Sequence, residues 1–161
     1  MTISETQESA AISNEVLIDE AVTDAERTGR CTLTNGRWYS PYDDRYVEGP
    51  RTIDIDHFVP LAESWDSGAS RWTPKERQAY ANDLDDSRAL IAVTAVSNRS
   101  KADKDPAQWV PPAAGYECTY ATTWVTIKTR WQLAIDPAEA DALASTLNEC
   151  PNVPVRAELA R

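Results

Sequence analysis

Residues 51–60 read RTIDIDHFVP, and residues 88–101 read RALIAVTAVSNRSK. In the first stretch apolar and polar residues alternate. Ile53 and Ile55 fall on one face and Asp54 and Asp56 on the other, the period of a half-buried strand. The end of this strand presents Asp56 and His57, and Pro60 stops the ladder. In the second stretch, residues 88–94 are apolar and β-branched and predict another strand. SNRSKADKD then has helical composition, with Ser97 or Asn98 as the expected cap. Strand, strand and helix therefore form the expected core. Neighbouring strand residues point to opposite faces, so Asp56 and His57 serve one site only if the chain bends at HFVP.

Outward from this core, residues 1–13 are polar and patternless and read as a disordered tail. Residues 14–27 predict a helix with Val16, Leu17, Ala21 and Val22 as its apolar stripe. CTLT, Asn35-Gly36 and RWYS predict a β-hairpin, and PYDDRYVEGPR a loop. Between the core strands LAESW predicts a short helix, and Thr73-Pro74-Lys75-Glu76 is a capping box opening a helix through about Asn82. Asn82 and Asp83 read as the end of that helix rather than as metal ligands. Residues 117–132 predict a helix, with strand as the alternative. Asp136-Pro137-Ala138-Glu139 starts another, to about Asn148. Antiparallel packing of these two helices would bring Cys118 and Cys150 together as a disulfide. The fold class is α+β: one domain over residues 14–155, with an N-terminal helix and hairpin, an inserted helix, two C-terminal helices and a tail at 156–161.

Composition narrows the chemistry. The chain has 161 residues, 42% of them apolar, enough for one core. It has 16 Lys+Arg against 26 Asp+Glu, a net charge of −10, which argues against coating nucleic acid by charge alone. Local clusters at Arg71/Lys75/Arg77, Arg99/Lys101/Lys104 and Lys128/Arg130 still allow a basic groove, or are solvated faces. The single histidine, His57, excludes HExxH zinc sites and Cys2His2 fingers. Any imidazole base near neutral pH is therefore His57. The carboxylate of Asp56 and the carboxamide oxygen of Asn98 are hard ligands suited to Mg²⁺ or Mn²⁺. Arg99 and Lys101 are suited to phosphate oxygens. The Trp residues read mainly as core, with Trp65, Trp72 or Trp109 as candidates to flank a nucleic-acid groove.

The combination resembles the HNH, or ββα-metal, endonucleases. IDIDHFVPLAESW is similar to their Asp-His-hydrophobic-hydrophobic-Pro segment, and ALIAVTAVSNRSKADKDP to their second strand and metal helix. A closer resemblance is to small HNH-family proteins related to the DUF1524 and GmrSD C-terminal domains. The segments GRWYSPY, SWDSGAS, YANDL, NRSK and DPAQWVPP match motifs that recur there in order, over roughly residues 14–155. The resemblance implies a metal-dependent endonuclease hydrolysing DNA phosphodiester bonds, with RNA as an alternative substrate. His57 would be the general base, and Asp56 and Asn98 the ligands of one Mg²⁺ or Mn²⁺. Arg99, Lys101 and Lys104 would contact nucleic acid, and Asp54 and Glu63 would support the ligands from behind.

Two features depart from the family pattern. His57 and Asn98 stand 41 residues apart, with residues 64–87 read as an insertion. Relatives often carry Cys-Asp-Thr-Arg where this chain has Ala10-Ala11-Ile12-Ser13, which leaves Cys31 as the odd thiol. A fold that binds nucleic acid or a partner without turnover is the competing expectation, and an acidic DNA mimic a weaker one. The first residues hold no basic start followed by an apolar block, which predicts a cytoplasmic protein. Secretion is the alternative if an upstream signal has been removed. No apolar run is long enough to cross a membrane.

Overall fold

The computed structural model describes residues 3–29 and 32–161, with side chains from residue 10 onward; Cys31 lies outside the described residues. Helix α1 spans Ile3–Asp19 and so begins inside the stretch expected to be a tail. Residues 3–13 contain no Gly or Pro and include Glu5, Gln7, Glu8, Ala10 and Ala11, helix formers that let a helix extend backwards. The helix also stops early, because residues expected to continue it form strand β1, Ala21–Arg27. Strand β2, Leu33–Ser40, pairs antiparallel with β1, and this non-local ladder overrides local helix propensity. Val16 and Leu17 are buried as expected, but Val22 is 53% exposed, so the predicted stripe ends with the helix.

Asn35-Gly36 does not make the hairpin turn. The Thr28 amide donates to the Thr32 carbonyl between the ends of the two strands. Asn35 and Gly36 sit inside β2 with φ of 59° and 84°. There the chain must admit the Trp38 ring: a Cβ on Gly36 would lie 2.6 Å from it. Trp38 is fully buried and its indole donates to the Leu17 carbonyl, which ties the sheet to α1. The segment expected as a loop contains strand β3, Arg45–Glu48, whose cross-strand pairs include Tyr39 with Tyr46 and Trp38 with Val47.

The second sheet is the expected core. Strand β4, Ile53–His57, pairs antiparallel with β5, Leu90–Thr94, in the register Ile53 to Thr94 and His57 to Leu90. Helix α4, Ala95–Lys101, packs back on both strands. Its cap is Thr94, whose hydroxyl accepts from the Ser97 amide, so neither Ser97 nor Asn98 caps it. Between the strands lie α2, Leu61–Asp66, and α3, Pro74–Ala81, the latter opened by the Thr73/Glu76 capping box. Helix α5, Glu117–Arg130, is helical rather than extended, and α6, Pro137–Asn148, starts at the Asp136/Glu139 box. Cys118 and Cys150 form the disulfide that joins these two helices. Tyr42, Phe58, Trp72, Tyr120, Trp124 and Ile127 centre the larger core, with α5 running through it. Residues 156–161, expected as a tail, carry no helix or strand but are pinned. Arg130 donates to the Glu158 carbonyl, and its own carbonyl accepts from the Ala160 amide.

The outer edge of β5 is closed by side chains instead of a third strand. The Ala92 amide donates to the Glu20 carboxylate at 2.9 Å, and the Thr94 amide to the Ser40 hydroxyl at 3.1 Å. Burial pushes Glu20 up from 4.5 to about 7, opposed by the Ala92 amide and assisted by Asp19. The folded chain therefore holds this proton more tightly than the unfolded chain. The associated stability is complete below pH 4.5 and is lost as pH rises from 4.5 to 7, on the order of 3 kcal/mol. Glu20→Gln keeps an acceptor for Ala92 and removes the charge. Urea unfolding is expected to show the variant more stable than wild type above pH 7, with the difference vanishing below pH 4.5.

Candidate active site

The bend that the sequence requires is present. The Phe58 amide donates to the Ala89 carbonyl, and Phe58 and Val59 then turn into the core before Pro60. Asp56 and His57 consequently both line one cleft of about 320 Å³, together with Leu61 and Ala62 of α2, Asn98 of α4, and Asp103 just beyond it. Larger hollows, of about 670 and 800 Å³, lie beside the C-terminal segment. They are walled by Arg130 and acidic residues, and His57 lines neither of them.

His57 is fixed by α3. Its Nε2 lies 2.9 Å from the Ala81 carbonyl oxygen, which only accepts, so Nε2 carries the proton and Nδ1 keeps its lone pair. Burial lowers the pKa of His57, against the raising pull of the Ala81 carbonyl and Asp56, while Lys101 adds to the lowering. The ring is thus neutral at neutral pH, the state a general base needs. The same helix supports the bend, since the Tyr80 hydroxyl donates to the Val59 carbonyl.

Asp56 is buried and held through one oxygen. Oδ2 accepts from the Tyr42 hydroxyl at 2.7 Å and from the Lys101 Nζ at 2.5 Å. Lys101 also donates to the carbonyls of His57 and Phe58, each at 2.9 Å. Its side chain is 0% exposed, which overturns its expected role as a nucleic-acid contact. A helix residue pointing into the β4 bend cannot also reach solvent. Burial pushes its pKa down, and Asp56 opposes this. The cation stitches the bend and holds Asp56 Oδ2, while Asp56 Oδ1 accepts no hydrogen bond among the described residues.

Asn98 comes from the body of α4. Its Nδ2 donates to Asp54 Oδ2 at 3.4 Å, leaving its side-chain carboxamide oxygen without a donor among the described residues. Asp54 also pairs with Arg99 at 3.8 Å, and so contacts both Asn98 and its neighbour on α4. Arg99 is 77% exposed beside the cleft. Lys104 is half-buried and folds back onto the Ser100 carbonyl. Glu63 does not support the site. It accepts from Lys128 and Ser67, each at 2.6 Å, in a buried network with Glu139 on the α5 side. Asn82 is the C-cap of α3, and Asp83 forms a two-pronged pair with Arg130, in line with their structural reading.

Several groups were not singled out from the sequence. GRWYSPY matched a motif without a task; the structure supplies one. Tyr42 holds Asp56, and Ser40 donates to Asp43. Asp43 in turn accepts from the hydroxyls of Thr94 and Ser97, at 2.6 and 2.5 Å. Burial raises the Asp43 pKa, but the three hydroxyl bonds outweigh it and hold the carboxyl below its ordinary value. This clamp sets the start of α4 and thereby the height of Asn98. Asp103 adds a carboxylate at the cleft mouth.

The donor set suits a hard divalent cation. Among the described residues no group of three or more His, Cys, Asp or Glu gathers around one point. The cleft instead offers the Asp56 carboxylate oxygen that Lys101 and Tyr42 leave open and the carboxamide oxygen of Asn98, with the Asp103 carboxylate at its edge. Mg²⁺ is commonly held by one or two carboxylates, with water and substrate phosphate completing its shell, so these residues fit such an ion.

Residues 11–146 match the model of the C-terminal domain of GmrSD restriction endonucleases. Over 138 residues the chain is 41% identical to an uncharacterized secreted protein of Arthroderma benhamiae, covering 86% of this chain and 67% of that protein. The chain belongs to the family of GmrSD restriction endonuclease C-terminal domains, a nuclease-related family.

Proposed function

We propose that the cleft hydrolyses DNA phosphodiester bonds, with His57 as general base and one divalent cation held by Asp56 and Asn98. The observation that carries this is the geometry of His57. Its Nε2 is committed to the Ala81 carbonyl, and its Nδ1, without a hydrogen-bond partner among the described residues, belongs to a ring in the same cleft as Asp56 and Asn98. His57 Nδ1 takes a proton from water, and the resulting oxygen attacks phosphorus in line. The bond from phosphorus to the 3′ oxygen breaks, the leaving oxygen takes a proton from solvent water, and His57 later returns its proton to solvent, giving 5′-phosphate and 3′-hydroxyl ends. Mg²⁺ or Mn²⁺, when bound, supplies neutralisation of charge on the phosphate and on the leaving oxygen. Arg99, exposed beside the cleft, contacts the backbone through a phosphate.

Incubation with supercoiled plasmid and Mg²⁺ or Mn²⁺, with and without EDTA, tests this. Nicking or linearisation that EDTA abolishes is the expected result. The net charge of −10 and the withdrawal of Lys101 into the core favour the second reading, a binding module without turnover. Retarded plasmid with no cutting in either metal would select it. Of the two cellular settings, secretion is the better supported. The Cys118–Cys150 disulfide belongs to oxidising surroundings, and the A. benhamiae relative is named a secreted protein. No helix among the described residues is long and apolar enough to cross a membrane.

A further inference from the structure

We propose that Leu61 and Trp65 form a stacking shelf for an unpaired DNA base next to the phosphate bound in the cleft, an inference that rests on the nuclease reading above. Leu61 lines the cleft and is 47% exposed. Trp65 follows four residues later in α2, which puts it one turn along the same helix face. It is 49% exposed, whereas Trp38, Trp72, Trp124 and Trp131 are all 7% exposed or less. An indole left half in water beside a reactive cleft is therefore not needed by the core.

The ring is also held. The guanidinium of Arg77 lies over it, 5.3 Å from its centroid, and is anchored by donating to the Trp72 carbonyl. This cation takes one side of the ring, and the exposed remainder is open to a ligand. Arg71, in the short segment after α2, and Lys75, in the first turn of α3, are both exposed and extend the positive charge. A flat aromatic surface flanked by cations suits a base with its attached phosphates. In a duplex each base is already stacked on its neighbours, so the shelf selects single-stranded or frayed DNA.

Fluorescence anisotropy of labelled oligo-dT in EDTA, with the full chain, tests the shelf. Trp65→Ala is expected to weaken oligo-dT binding about tenfold, the size of one lost base–aromatic stack. Trp65→Phe should retain most of the affinity, and a blunt hairpin duplex should bind both variants as it binds wild type. Unchanged oligo-dT affinity in Trp65→Ala, or equal loss on hairpin and oligo-dT, overturns the shelf. If wild type cuts plasmid while Trp65→Ala keeps its oligo-dT affinity, only the shelf falls. If wild type neither binds nor cuts any DNA, the nuclease reading falls with it.

Discussion

His57→Ala is expected to slow metal-dependent DNA cleavage on the order of 10²–10⁴-fold, the usual worth of a positioned general base. The chain has no second histidine to take over. Folding should be little affected, because the substitution removes one hydrogen bond, to the Ala81 carbonyl, worth about 1 kcal/mol. Circular dichroism and the urea midpoint check that part. The pH dependence gives an independent readout. The base acts only when neutral, and its pKa lies below the ordinary 6.5, so wild-type activity should rise with pH on a limb below 6.5 and level off above it. The residual activity of His57→Ala should lack that limb. A variant that cuts as fast as wild type would remove His57 from the mechanism.

Lys101→Met is expected to cost about 3–5 kcal/mol of stability, because it leaves the Asp56 carboxylate buried without its cation. The Tyr42 hydroxyl alone then faces Asp56 Oδ2, and the carbonyls of His57 and Phe58 lose their donor. Urea unfolding followed by tryptophan fluorescence measures the loss. Adding Asp56→Asn to Lys101→Met should recover part of it, since the unpaired charge is gone, and the double-mutant cycle reads the coupling directly. A surface phosphate contact behaves otherwise: its removal weakens DNA binding in a salt-dependent way and leaves folding alone. Stability of Lys101→Met within about 1 kcal/mol of wild type would contradict the buried pairing.

Elements with strong local signals were legible in the sequence. The IDID alternation marked β4, and the two capping boxes marked α3 and α6. What was misread depends on distant partners. Residues 21–27 look helical by themselves and become a strand because β2 lies beside them. Asn35-Gly36 looks like a hairpin turn, yet its positive φ values make room for the Trp38 ring. Arg45–Glu48 sits among turn residues and gains strand structure from cross-strand pairing.

The site divides in the same way. Asp56, His57 and Asn98 were found from residue type and spacing, and they do meet in one cleft. Lys101 was misassigned because a lysine three residues after Asn98 reads as exposed until the packing of α4 on β4 is known. Glu63 follows His57 closely in sequence but turns to Lys128, sixty-five residues further on. The partner of the histidine is a backbone carbonyl, which has no residue signature at all.

The central claim is that this cleft joins one imidazole base to one divalent cation. Titration of Mn²⁺ into the protein, followed by electron paramagnetic resonance of the free ion, tests it without requiring turnover. One ion per chain is predicted, lost in Asp56→Asn, weakened in Asn98→Ala and retained in His57→Ala, because the histidine is assigned as base and not as ligand. Mn²⁺ that fails to bind, or that binds Asp56→Asn as tightly as wild type, would contradict the account.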